Sequence, residues 1–420
     1  MKTYSRRELL QRASALSVLS GAHLMLPGWM PRLAFSPRHR APQGDVLVCV
    51  FLRGGADALN MIVPHGEDTY YQVRPVLAIP RPDASGSDPK ALDLDGFFGI
   101  HPALSPLLPI FQSGQLTAIH ATGSPDPTRS HFEAMSFMER GTPGSKTVST
   151  GWIGRHLATL DTGNNSPVRA IGWGTSAQQS IRGTVSPVVL QSIADYHLGG
   201  RVDVAMQMME AINGLYSEDT ESLQIAAEAT NAAIDVVSSV RVDQYQPQNG
   251  AVYDEDGFSF GLKQTAALIR AEVGLEAACL DIGGWDTHAN QGGAEGNQAA
   301  LMTTLAAGLG AFHTDMGADM SRVTLVVMSE FGRRVEENAD AGTDHGHGGA
   351  MLVMSGNLAQ GPVFARWPGL SPEYLDRGDL AITTDYRDVL AEIIATRLNN
   401  PLIDDIFPSF RRSELGLFSG

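Results

Sequence analysis

The chain has 420 residues, 43% of them hydrophobic and 18% charged, enough for a sizeable core and without disordered or fibrous bias. Its net charge is −16, and the first 40 residues hold seven Lys or Arg against one Glu, so the remainder carries −22. A surface that acidic excludes nucleic acid as a partner, because phosphate binding needs a basic face.

The N-terminus opens with "YSRRELLQR", a consecutive Arg6–Arg7 pair followed by the modestly apolar "ASALSVLSGAHLMLPGWM". That stretch has the length of a signal h-region but is diluted by Ser, Gly and His, so a stable membrane span is not expected. Residues 1–40 read as a twin-arginine export signal, cleaved between about Ala34 and Pro42. The mature chain is then expected in the periplasm or outside the cell, meeting a membrane only during export. The expected domain runs from 41 to 420.

Beyond the signal, buried-strand runs alternate with helical ones. "DVLVCVFL" (45–52), "LTAIHA" (116–121), "EAACLDI" (276–282), "VTLVVMSE" (323–330) and "AMLVMSG" (350–356) are near-continuously apolar, the pattern of strands covered on both faces. Helices are expected over "LSPLLPIFQSG", "SHFEAMSFMERG", "SFGLKQTAALIRAEVG", "NQAALMTTLAAGLGAFHTDMG" and "YRDVLAEIIATRLNN". This alternation predicts an α/β three-layer sandwich around a central, mostly parallel sheet. Residues of about 145–255 break the pattern with short β pieces and a long helical region, and read as an inserted helical cap. Cys49 and Cys279 both fall in strand runs and are expected to be unpaired core residues. No dinucleotide glycine motif or thiolate ligand set is present, which leaves a redox enzyme without support.

In open α/β sheets the ligand site lies beyond the carboxyl ends of the strands, so the polar residues there are the candidates. They are Arg53, Asp57 and Asn60 in "RGGADALN"; Asp126, Thr128, Arg129, Ser130 and His131 in "PDPTRSH"; Asp286 and His288 in "GGWDTH"; Glu330 and Arg333 in "SEFGRR"; and Asp344, His345 and His347 in "GTDHGHGG". Residues i and i+2 of an extended segment point the same way, so Asp286 and His288 can face one point, with the paired glycines before them allowing close approach. Carboxylates and imidazoles from several strand ends form a ligand set for a divalent ion such as Zn, Mn, Mg or Ca. Ser130 and Glu133 also fit a capping box, and Arg53 and Arg333 are candidates to clamp an oxyanion. His131 and His347 read as packing or outer groups.

The motifs "FLRGGADALNMIVP", "TRSHFEA", "GGWDTHANQ", "SEFGRRVEEN", "TDHG" and "TTDYRDVLAEII" together resemble the exported bacterial family called domain of unknown function 1501. That family is similar to the alkaline phosphatase and sulfatase superfamily. The resemblance implies an alkaline phosphatase-like fold and one or two metals beside a hydroxyl or thiol nucleophile. It places Asp57 as a bridge to a second metal, and Asp286, His288 and His345, with Asp344 beside them, around the first. Glu330 takes the position of an Asp, and Ser130 that of the nucleophile, ahead of Thr128. Phe331 stands where the superfamily has a histidine, and Asp286 and His288 are closer in sequence than in active relatives. The expected function is hydrolysis of a phosphate or sulfate ester, of a small molecule or a glycan. The alternative is a catalytically silent binding or assembly protein acting with another exported partner.

Overall fold

Every residue of the first strand, Val46–Leu52, is buried, because alternate side chains enter two different cores. Val46, Val48, Val50 and Leu52 join one, Leu47, Cys49 and Phe51 the other. Each fully buried aliphatic of this kind contributes about 1.5–3 kcal/mol. The computed structural model describes residues 45–183, 187–193 and 221–419. The expected export signal lies outside them. All of them belong to one compact unit, residues 40–420, and no described helix is long and apolar enough to cross a membrane.

In chain order the described strands are β1 (Val46–Leu52), β2 (Ile62–Val63), β3 (Leu92–Asp93), β4 (Gly99–Ile100), β5 (Leu116–Gly123), β6 (Ala170–Trp173), β7 (Val188–Leu190), β8 (Ala277–Ile282), β9 (Val323–Ser329), β10 (Gly349–Ser355), β11 (Val363–Phe364) and β12 (Thr384–Asp385). Nine make one sheet in the order β11-β5-β10-β9-β1-β8-β6-β7, with β12 beside β5; β2, β4 and β3 make a small antiparallel one. All pairings in the large sheet are parallel except those of β10 with β5 and β9. The fold is therefore a mixed, mostly parallel sheet between helical layers.

Helices Gly257–Arg270 and Asn297–Met316 cover one face, through Leu262, Ala266, Met302, Leu309 and Phe312. Helices Trp152–Thr159 and Tyr386–Glu392 cover the other, with the C-terminal segment through Phe418. Of the stretch read as an inserted cap, residues 170–173 and 188–190 are instead strands of the main sheet, β6 pairing directly with β8. Helix Glu221–Ser239 belongs to the same stretch; residues 194–220 of it lie outside the described ones. Cys49 and Cys279 stand opposite each other in register on β1 and β8, both as free thiols.

Direction matters at one point above all. Because β10 runs against its neighbours, its start lies at the same edge as the ends of β1, β5, β8 and β9. The loop before β10 and the loops after the parallel strands thus share one rim.

Candidate metal centre

Three imidazoles and one carboxylate meet at this rim. His345 Nε2 lies 2.9 Å from His131 Nε2 and 2.9 Å from His288 Nε2. Asp286 Oδ1 is 3.0 Å from His288 Nε2 and 3.2 Å from His345 Nε2, and its Oδ2 is 3.4 Å from His131 Nε2. One ligand atom each of His131, Asp286 and His345 lies within a common 4.8 Å, and His288 touches two of that trio.

The outer nitrogen of each ring is held by an acceptor. His131 Nδ1 faces Glu330 Oε1 at 2.7 Å, His288 Nδ1 faces Asp344 Oδ1 at 3.0 Å, and His345 Nδ1 faces the Arg129 carbonyl at 2.9 Å. Carboxylates and carbonyls only accept, so each ring donates from Nδ1, and a neutral ring then turns the lone pair of its Nε2 towards the others. Three lone pairs and an ionised carboxylate then point at one another. Such a set repels itself unless a cation lies among its members, and carboxylate–histidine pairs aimed inward are how proteins orient metal-binding imidazoles.

The electrostatics are mixed but legible. Burial pushes the Asp286 carboxyl up, yet Arg333, His345 and His288 outweigh it and hold it below the usual range. The bond from His288 lowers Asp344. Burial, with the charges of His131 and Arg333, pushes His345 down, while the bond to Glu330 raises His131. Phe331, 4% exposed, packs its ring 4.9 Å from that of His131 and 5.0 Å from that of His345, closing the inner side of the cluster.

Local backbone chemistry brings these groups together. Asp286 and His288 face the cluster while Trp285 and Thr287 between and before them are buried below. The close approach expected of Gly283 and Gly284 is made by Gly54 instead. At φ +123° it lies so near the Asp286 loop that a Cβ would meet Asp286 N at 2.5 Å.

Several residues expected at the site face elsewhere. Asp57 is 1% exposed and receives Arg74 Nη1 at 2.5 Å and Gln291 Nε2 at 2.7 Å, away from the imidazoles. Arg53 is drawn to Glu139 at 3.2 Å and Asp281 at 2.9 Å. Arg333 has a fully buried side chain, and each of its nitrogens is engaged: Nε by Gly55 O, Nη1 by Thr343 O, and Nη2 by Trp285 O, Gly54 O and Asp286. It fixes the wall and the carboxylate, with no fork left for an oxyanion. Glu330 and Asp344 stand behind His131 and His288 as hydrogen-bond acceptors, a layer outside the converging atoms. His347 is held between Asp376 at 2.8 Å and the Ser124 carbonyl at 2.9 Å.

Ser130 is exposed, immediately before helix His131–Arg140, and its side chain makes no capping bond. The capping box does not form, because Glu133 turns to Thr128 at 3.3 Å and Lys146 at 2.7 Å. His131, read as a packing or outer group, is the member that sequence reasoning misplaced; its position right after Ser130 at a strand end was the available sign.

Fold and rim together define an α/β protein with a histidine–aspartate cluster at the strand ends. Residues 45–404 match the model of the family described as protein of unknown function (DUF1501), and the chain belongs to that family. No curated protein matches it. Among solved structures it is similar to the PH0037 protein from Pyrococcus horikoshii, at 10% identity over 88% of this chain and 98% of that one, with a TM-score of 0.34. The lipoteichoic acid synthase LtaP from Listeria monocytogenes matches at 8% identity over 82% and 75%, with a TM-score of 0.32. The alkaline phosphatase from the Antarctic bacterium TAB5 matches at 10% over 76% and 91%, with a TM-score of 0.28.

Proposed function

We propose that the protein is an exported, metal-dependent hydrolase of a phosphate or sulfate ester, with His131, His288, His345 and Asp286 holding one divalent ion. The observation that carries this is the convergence of three Nε2 atoms, each with its Nδ1 committed to an acceptor. A nitrogen-rich set suits zinc better than magnesium or calcium, which take oxygen ligands. Bound there, such an ion would supply Lewis-acid stabilisation of the ester's oxyanion.

The remaining roles fall to the chain itself. Ser130 offers an uncapped hydroxyl beside His131 at the start of a ten-residue helix, where amide N–H groups favour an incoming dianion. Arg333 keeps Asp286 ionised and oriented. Export follows from the Arg6–Arg7 segment, and replacing both with Lys should retain the protein in the cytoplasm.

The decisive experiment is elemental analysis of folded protein, followed by turnover of aryl phosphates and aryl sulfates by the wild type and Ser130→Ala. Bound zinc and activity lost in the variant support the reading; folded protein that binds no divalent metal defeats it. A second reading, a catalytically silent binding protein acting with an exported partner, is favoured by Phe331 and by Arg74 occupying Asp57, which together close these two positions to a second metal. It predicts bound metal with no turnover by either form.

A further inference from the structure

We infer that Gln291 is a positioning residue whose buried amide clamps together, from beneath, the two segments that carry Asp286, His288 and His345. The inference rests on reading the cluster as a metal centre, and it gives the buried Asp57 a place in that centre without ligation.

Gln291 is fully buried. Its Oε1 accepts from Thr287 Oγ1 at 2.9 Å and from Thr343 Oγ1 at 2.7 Å, filling both lone pairs. Thr287 is the residue between Asp286 and His288, and Thr343 lies two before His345. In extended chain neighbours point to opposite sides, so the Thr287 hydroxyl reaches down to the amide while Asp286 and His288 reach up, and the Thr343 hydroxyl meets the same oxygen from the second loop. The same loops are joined by Thr343 N to Thr287 O at 3.2 Å and Gln291 N to Ala341 O at 2.9 Å. The backbone bonds set the pairing, and the single amide oxygen sets how far His345 stands from Asp286 and His288.

Asp57 decides which way that amide faces. Its Oδ2 already receives Arg74 Nη1, so it can only accept, and Gln291 must turn Nε2 towards it at 2.7 Å and Oε1 towards the threonines. Arg74 in turn holds the Val335 and Arg334 carbonyls, each at 2.8 Å, on the segment that leads from Glu330 to the Thr343 loop. A carboxylate and guanidinium with no solvent access thus act on the rim through one amide. His131 stands apart from this chain of bonds, oriented by Glu330 at the end of β9. Its Nε2 nevertheless lies 2.9 Å from that of His345, so the internal control is His156 on helix Trp152–Thr159, bonded to Asn400 at 3.1 Å.

The test compares Thr287→Val/Thr343→Val with Thr287→Ser/Thr343→Ser in the full-length protein, the single valines serving if the valine pair does not fold. Zinc affinity is read by chelator competition, and the ring nitrogens of the histidines by 15N NMR on the metal-free protein. Losing an outer hydrogen-bond layer should weaken zinc about 10–100-fold in the valine pair, with the serine pair within about threefold of wild type. In the metal-free spectra the His288 and His345 ring signals should move while those of His156 stay. Unchanged affinity with the His288 and His345 rings unmoved overturns the clamp, and so does a shift shared by His156, which marks general loosening. Wild-type protein that takes up no zinc defeats the metal reading instead, and the ring signals alone then decide whether Gln291 positions the loops.

Discussion

Glu330→Gln separates a carboxylate that binds metal from one that acts through a histidine. Glu330 is 1% exposed; Oε1 accepts from His131 Nδ1 at 2.7 Å and Gly54 N at 2.8 Å, and Oε2 from Ser329 Oγ at 3.1 Å. A glutamine in the same rotamer keeps the first two bonds. Its NH2 then donates to Ser329 Oγ, freeing that hydroxyl for the Leu52 carbonyl at 2.7 Å. Shape and bonding survive; the charge does not. Replacing a charge-assisted bond with a neutral one removes about 1–1.5 kcal/mol, and loss of an outer carboxylate behind a ligating histidine weakens metal about 10–100-fold, or about 1.4–2.7 kcal/mol. A direct ligand would cost more: about 10–16 kcal/mol of zinc binding shared among four ligands is about 2.5–4 kcal/mol each. Zinc competition against a chromophoric chelator, with Asp286→Asn as the direct-ligand reference, measures the difference. A change under about threefold, or one matching Asp286→Asn, refutes the assignment.

Arg74→Met should leave Asp57 buried with Gln291 as its one remaining side-chain donor, destabilising the protein by about 3–5 kcal/mol; adding Asp57→Asn should recover much of this in denaturant unfolding, and a double variant no better than the single one refutes the pairing. His120 and His156 are pushed down to about 4 by burial, with the charge of Arg169 adding to the effect at His156. Since the unfolded chain takes up these protons near 6.5, their contribution is full above that pH and is lost as pH falls towards 4. His131, raised by Glu330, works with the opposite sign, contributing below 6.5 and fading as pH rises through its folded value. The urea midpoint should therefore fall between pH 7 and 4.5, and a flat profile contradicts the burial of two neutral imidazoles. Phe331→His should not raise metal content above one ion per chain, because Arg74 still occupies Asp57; elemental analysis showing two ions would overturn that reasoning.

The central strands were legible because β1, β5 and β9 are covered on both faces, and such strands are written as unbroken apolar runs. The short strands β6 and β7 at one end of the sheet were not: three or four residues carry too little pattern to stand out from a helical neighbourhood. The pairing of Asp286 with His288 could be read because strand periodicity fixes direction. Direction at a helix start is set by rotation of about 100° per residue, and the residues alone do not say where its zero lies; hence His131 was read as an outer group. Asp57 shows a different limit. A carboxylate after a buried strand looks the same whether it faces an ion or a guanidinium 17 residues on, and only the fold shows that Arg74 arrives first. Arg333 was misjudged likewise, since a sequence does not reveal backbone carbonyls gathered around a side chain.

The reversed course of β10 bears on the order in which the molecule assembles. β9 and β10 are consecutive in the chain and adjacent in the sheet, so the turn carrying Glu330, Arg333, Asp344 and His345 closes over a short length of polypeptide and at low entropic cost. Asp286 and His288 join it only after β8 docks beside β1, and His131 only after β5 docks beside β10. Both are long-range encounters of the kind that slow folding. The nascent hairpin therefore holds one inward-facing imidazole, too few to capture an ion, and a metal held by this cluster would bind late and fasten a nearly finished sheet.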